Sequence, residues 1–378
     1  MTDPTRWTLW GLPHSLYTGP ARAYLRKAGI AYVERSPQEP DFATAVLPRI
    51  GRAIIPVVTR GDVLVQDSVD IIDHFERDGG PGRAYPPGPR QAVLAALFQL
   101  YGSQGLLAHA MHYRWSHYPA QARFIDHAFG LSGGGEIAER TMARMRSYLP
   151  GLGVTPATAP LIERSFEALL DTLDAHFRAH PYLLGERASV GDYGLLGPLF
   201  AHLGRDPVPS DLMKRRAPAV FRWVERMNAS DADLVEFPGA AADYLADDAV
   251  PETLPPLIAR MGADMGVPLA DQIDFLARWV DEHRPDDGAP IAPRPSQRHV
   301  GMVATHFLSG PVEIAVAPYL LYMVQRVRRA IDALTATDRA WAEALLAPAG
   351  LWRPLTRPIA IGVDRRDHLE VWSHAAAR

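Results

Sequence analysis

The sequence predicts an α/β domain followed by an all-α region, and three observations predict it. Short apolar, β-branched runs alternate with helical stretches within the first 80 residues. A stretch rich in Gly and Pro at 79–89 interrupts that pattern. Beyond it, apolar residues recur at helical spacing almost throughout.

Residues 7–10 form an apolar, aromatic run that stops at Gly11 and Pro13, as a strand entering a loop does. Over 20–29, Ala21, Tyr24, Leu25 and Ala28 share one helical face, with Pro20 in the first turn and Gly29 as the stop. Residues 30–33 are a second strand candidate and 42–47 a short helix. Residues 54–58 are apolar and β-branched but contain Pro56. Proline cannot donate to a ladder, so Pro56 marks an edge, a strand start or a cis bond. After a turn at 59–62, residues 63–65 return as a strand, and 68–75 place Val69, Ile71, Ile72 and Phe75 on a helix.

The resulting organisation is an α/β domain at 1–80, a linker at 81–90, a helical domain at 91–231 and a mostly helical extension at 232–378. Helices are expected over 91–113, 136–149, 160–180, 190–203 and 218–227. In the extension they are expected over 269–282, 318–334 and 339–346. A terminal hairpin is expected from 359–363 and 368–372, joined by Asp364-Arg365-Arg366-Asp367.

Composition narrows the function classes. A formal net charge of -4 with no basic stripe argues against general nucleic-acid binding. With no cysteine, neither a disulfide framework nor a thiol nucleophile is possible. The N-terminal residues lack the pattern of a signal peptide, and the longest apolar run, 312–324, is too short to span a membrane and contains Glu313. A cytoplasmic protein without membrane association is expected.

Three segments carry chemistry. The loop after the first strand holds Ser15 and Tyr17, just ahead of a helix start whose free N–H groups and positive dipole end favour a thiolate over a thiol. A serine hydroxyl there can donate to a sulfur anion without itself becoming charged; Ser15 is also a common type of turn residue. At Ile55-Pro56, a cis proline would turn the Ile55 N–H and C=O toward an extended peptide, which could pair as an added strand. At Asp67-Ser68, a helix start could take a carboxylate through its N–H groups and the Ser68 hydroxyl, with Asp67 pairing an ammonium. Plain capping would use the same residues.

The order and spacing of these segments resemble the N-terminal domain of the glutathione transferases. The resemblance implies a thioredoxin-like fold (βαβ-ββα) and glutathione as co-substrate, with no metal. Ser15 falls at the catalytic serine of the serine-type classes, with Tyr17 as its rival. Pro56 matches the family's cis proline, and Ile55 the residue whose backbone pairs with the cysteinyl unit. Asp67 and Ser68 match the pair that binds the γ-glutamyl end, and Arg52 the residue that meets the glycyl carboxylate. The family more often has Glu or Gln where Asp67 stands.

In the second domain, the segment 183–193 resembles the family's capping box, in which Ser189 caps a helix and Asp192 returns a bond. The segment 217–223 resembles its closing helix, so the resemblance covers about 1–231. His109, His112 and Tyr113 share a helix face where the family lines an acceptor pocket; an interdomain packing face is the other reading. A metal site from His109, His112 and His117 is not expected, because no carboxylate completes it. The extension matches no family, although Trp279, Trp341, Trp352 and Trp372 give it material for a core. The implied activity is attack of the glutathione thiolate on an apolar, electrophilic small molecule by a homodimer. The alternative is a non-catalytic relative that serves as a partner-binding scaffold.

Overall fold

In the computed structural model, residues 6–377 are described, apart from 78, 132, 293, 295 and 296. The first domain runs β1 (Trp7–Trp10), α1 (Thr18–Lys27), β2 (Tyr32–Arg35), a short α2 (Leu47–Ile50), β3 (Val57–Arg60), β4 (Val63–Gln66) and α3 (Ser68–Glu76). The sheet order is β2-β1-β3-β4, with β1 parallel to β2 and antiparallel to β3, and β3 antiparallel to β4. This is the βαβ-ββα, thioredoxin-like arrangement. Alternation along β1 explains the layers. Trp7 and Leu9 face the main core with Tyr24, Ile71 and Ile72, while Trp10 faces a second cluster with Phe42, Ile50, Val57 and Leu64.

The helical region comprises α4 (Pro89–Leu100), α5 (Leu107–Trp115), α6 (Tyr118–Gly130), α7 (Gly135–Ser147), α8 (Ala159–Ala179), α9 (Val190–Ala201), α10 (Pro207–Arg216) and α11 (Pro218–Asn228). The single helix expected over 91–113 is broken by a π-turn at Tyr101–Gly105. There Gly102 packs against α9 so closely that a Cβ would lie 2.2 Å from the Gly194 carbonyl oxygen, and this approach bends the chain. The helices α6 and α10 were not foreseen. Helix α6 is interrupted by the non-helical Gln121, and α10 carries Pro207 and Pro209 among mostly polar residues, so neither shows a clean helical period.

The capping box at α9 is formed. The Ser189 N–H donates to Asp192 Oδ2 at 2.9 Å, and the Asp192 N–H donates to Ser189 Oγ. Buried Asp192 also accepts from the Leu183 N–H at 3.0 Å and Trp223 Nε1 at 3.2 Å, so it ties the preceding loop and α11 to α9.

The extension adds α12 (Leu254–Met261), α13 (Val267–His283), hairpin β5 (Gly301–Phe307) and β6 (Gly310–Val316), α14 (Tyr319–Asp332), α15 (Ala336–Leu346), α16 (Trp352–Thr356) and hairpin β7 (Gly362–Arg366) and β8 (Leu369–Ser373). The extension shares the main core with both preceding regions. Leu320, Val324, Val363 and Trp372 lie in the same cluster as Leu97, Leu196 and Leu9. Helix α14 also bonds to α3. Tyr322 donates to Asp70 at 2.6 Å, and Arg326 holds Asp73 through two 2.8 Å bonds. The terminal hairpin differs from expectation in register. Its turn is Asp367-His368, both at positive φ, and Arg365 lies within β7 directly opposite Glu370 on β8.

Candidate functional site

The β1–α1 loop is held by two guanidinium groups. Arg22 donates to the Leu12 carbonyl at 3.0 Å while paired bidentately with Glu34, and Arg114 donates to the His14 carbonyl at 3.0 Å. Between these anchors, half-buried Ser15 accepts the N–H of Thr18, the first residue of α1, at 3.2 Å. Its own hydroxyl proton remains available to donate. Tyr17, also half-buried, shares a small cavity with Ser68, Ile72, Gln99 and Gly194. Burial raises its phenol pKa; Arg298 opposes the shift and Asp67 adds to it.

The Ile55–Pro56 bond is cis, and β3 begins immediately after it. The Asp67 N–H donates to the Pro56 carbonyl at 3.1 Å. Among the described residues, none bonds the N–H or C=O of Ile55, nor the N–H or hydroxyl of Ser68. Asp67 adopts φ 85° and accepts the Val69 N–H at 2.9 Å, which closes the start of α3.

The charged positions expected for the two ends of glutathione are filled from the extension. Arg365 reaches Asp67 at 3.0 Å, Asp70 at 2.5 Å and the Gln66 side-chain oxygen at 2.8 Å. Arg52, expected to meet a glycyl carboxylate, instead grips Glu370 through bonds of 2.7 and 2.8 Å, with Arg298 3.5 Å away. Sequence reasoning missed Gln66, Asp70, Arg298, Arg365 and Glu370. Reading 364–367 as the turn placed Arg365 on the loop. A shift of the turn by two residues moves it onto the strand.

Burial alone would raise the Glu370 pKa, but the Arg52 bonds and the charges of Arg365 and Arg298 outweigh it and lower it to about 2. A carboxylate whose pKa is depressed on folding stabilises the fold above its unfolded value of 4.5, and that stability is lost as pH falls toward 2. Asp70 titrates in the opposite sense, raised to about 6 by burial against the pull of Arg365. Comparison of Glu370→Gln with the parent therefore isolates Glu370. Between pH 5 and pH 3 the parent should lose about 2 kcal/mol more than the variant in urea unfolding. Equal losses would show that Glu370 is not ionised against Arg52 in the fold.

His109, His112 and Tyr113, expected at an acceptor pocket, are all buried in packing. His109 bonds Ser165 at 2.8 Å, within a buried network through Ser165 and Asp264 to Tyr101, and burial lowers its pKa to about 4. Tyr113 packs against Phe166 and stacks on His117. A second small cavity lies beside the Ser15 loop, lined by Leu12, His14, Gln38, Phe129, Ile137 and Thr141. There burial, aided by Arg114, lowers the His14 pKa to about 3, so its ring is neutral.

A carboxylate does reach the histidines. Glu163 of α8 lies 3.1 Å from His112 Nε2 and 3.0 Å from His117 Nε2, and the three form a group that could hold a metal ion. Two N–H donors on one carboxylate oxygen satisfy these groups without an ion.

Comparison with known proteins agrees with this architecture. Residues 138–226 match the model of the glutathione S-transferase C-terminal domain. That segment, α7 to α11, is similar to the C-terminal domain of the glutathione S-transferases. No curated protein sequence matches it. Similar solved structures include the β-etherase LigF from Sphingobium sp. strain SYK-6, at 14% identity over 60% of this chain and 96% of that one, with a TM-score of 0.43. A glutathione S-transferase from Xanthobacter autotrophicus Py2 is 22% identical over 59% of this chain and 93% of that one, with a TM-score of 0.34. Glutathione S-transferase-I bound with lactoylglutathione is 16% identical over 60% of this chain and 99% of that one, with a TM-score of 0.37. Among the described residues, no helix is long and apolar enough to cross a membrane.

Proposed function

We propose that this chain is a glutathione transferase-like enzyme that binds glutathione and activates its thiolate for attack on an apolar electrophile. The observation that carries this reading is that, among the described residues, none bonds the N–H or C=O of Ile55 ahead of cis Pro56, or the N–H or hydroxyl of Ser68 at the start of α3. A strand-like edge that pairs with nothing is a template for an extended peptide. A helix start with a free hydroxyl suits the peptide's α-carboxylate. Ser15 would donate to the sulfur. The electrophile, a homodimeric state and a cytoplasmic setting belong to this proposal. Isomerisation, reductive ether cleavage and dehalogenation would use the same thiolate.

Calorimetric titration with reduced glutathione tests the reading. The parent should bind in the micromolar to millimolar range. Ser68→Ala should bind about tenfold more weakly, the loss of one hydrogen bond to a charged group. Absence of binding both by the parent and by variants with the terminal hairpin weakened would overturn it. One observation favours a second reading, that of a non-catalytic scaffold: Arg365 and Glu370 already occupy the partners expected for glutathione's charged ends.

A further inference from the structure

We propose that the β7–β8 hairpin is an internal ligand for the glutathione site, with Arg365 standing in for the α-ammonium and Glu370 for the glycyl carboxylate. The inference rests on the glutathione reading above and extends it to regulation of that site. Three observations support it.

The first is the match of sign and place. The cation lies on Asp67, the residue expected to take an ammonium, and the anion lies on Arg52, the residue expected to take a carboxylate. The two mimics are cross-strand partners, so one small element delivers both charges at once. Asp67 is shorter than the family's usual Glu or Gln, and the long arginine side chain makes up that reach.

The second is selectivity. The hairpin satisfies the charged positions and leaves the neutral ones unused, namely the Ile55 N–H and C=O and the Ser68 hydroxyl. A purely structural clasp has no reason to stop at that division.

The third is where the hairpin is anchored. Its base is fixed: Gln325 bonds both the N–H and the C=O of Val363, and buried Trp372 stacks on Trp279 at 4.9 Å. Arg365 and Glu370 lie in the outer half, next to the exposed Asp367 of the two-residue turn. Withdrawal of the outer half about the fixed base costs the Ile291 N–H bond to the Glu370 carbonyl and the Arg366–Asp287 pair, and leaves the anchoring contacts of Val363 and Trp372 in place. On withdrawal, Arg365 and Glu370 pass to water, and the ligand's own charges take over Asp67 and Arg52; Asp70 loses its pair with Arg365 and keeps the Tyr322 hydroxyl bond. The cost of opening reduces the apparent affinity of the site by the fraction of molecules that are open.

Calorimetry with reduced glutathione on the parent, Arg365→Gln and Glu370→Gln, combined with hydrogen–deuterium exchange on the parent, tests this. Glu370→Gln keeps the side chain's shape, so a folding failure of Arg365→Gln would leave the test intact. Both variants should bind glutathione at least tenfold more tightly than the parent. Saturating glutathione should speed exchange in the hairpin at 362–373 and slow it around Ser68. Equal affinity in parent and variants, with hairpin exchange unmoved, would overturn the internal ligand and leave the glutathione reading standing. Absence of glutathione binding in all three chains would overturn both.

Discussion

Asp206→Ala is expected to destabilise the fold by about 3–5 kcal/mol, the cost of leaving a buried charge without its partner. Arg114 and Asp206 are both buried and meet through two bonds of 2.7 and 2.8 Å. The same guanidinium donates to the Ala201 and His14 carbonyls, so it joins the end of α9, the start of α10 and the loop that carries Ser15. Removal of Asp206 leaves that cation in a dry site beside the neutral His14 and the cation of Arg205, neither of which can accept its charge. Urea unfolding of the parent, Asp206→Ala and Asp206→Asn measures the effect. Asparagine keeps one acceptor and should recover part of the loss. A loss below about 1 kcal/mol for alanine would mean that water reaches Arg114 and that the pair does not hold the loop.

The first domain was legible because its signals are local. A strand that ends at Gly11, a proline before Val57 and a serine ahead of Val69 each fix a backbone geometry from two or three neighbouring residues; the structure places β1 and α3 within one residue of expectation and starts β3 three residues later than the 54–58 run. The capping box was legible for the same reason. What failed was long-range. Nothing near Gly102 announces that Gly194 will press against it from 92 positions further along, so the break between α4 and α5 was invisible. Glu163 lies 46 positions from His117, and the pairing depends on how α8 crosses α5. The hairpin β5–β6 was missed because Met302, Val303 and Ala304 are apolar in succession and blur the alternation; Thr305, Val312 and Ile314 face α13 and Gly153, while Met302, Ala304, His306 and Glu313 face out. At the site, the neutral partners were legible and the charged ones were not. Asp67 lies 298 residues from the arginine that claims it, and a two-residue error in a turn was enough to hide the pairing.

Ser15→Ala is expected to lower turnover of glutathione with an activated aryl halide by about 10- to 100-fold, while the glutathione Kd stays within about threefold. The range follows from one charge-assisted hydrogen bond to the thiolate, about 1.5–3 kcal/mol, made when the sulfur is ionised and weakened when it is protonated. The geometry suits that role. Ser15 Oγ uses a lone pair on the Thr18 N–H, which polarises its O–H, and the start of α1 adds its dipole. Alanine also removes the acceptor of the Thr18 N–H, worth about 1 kcal/mol of stability, so a melt accompanies the kinetics to separate the two effects. Tyr17 supplies the control. Its raised pKa keeps the phenol protonated and therefore able to donate, and Tyr17→Phe removes that donor alone. Unchanged turnover in Ser15→Ala with a fall in Tyr17→Phe would transfer the sulfur contact to Tyr17. A closed hairpin lowers turnover in every chain by the same factor, so the ratio of Ser15→Ala to parent should be the same in the Glu370→Gln background. A ratio that collapses to one in that background would mean that Ser15 acts on the hairpin rather than on the sulfur.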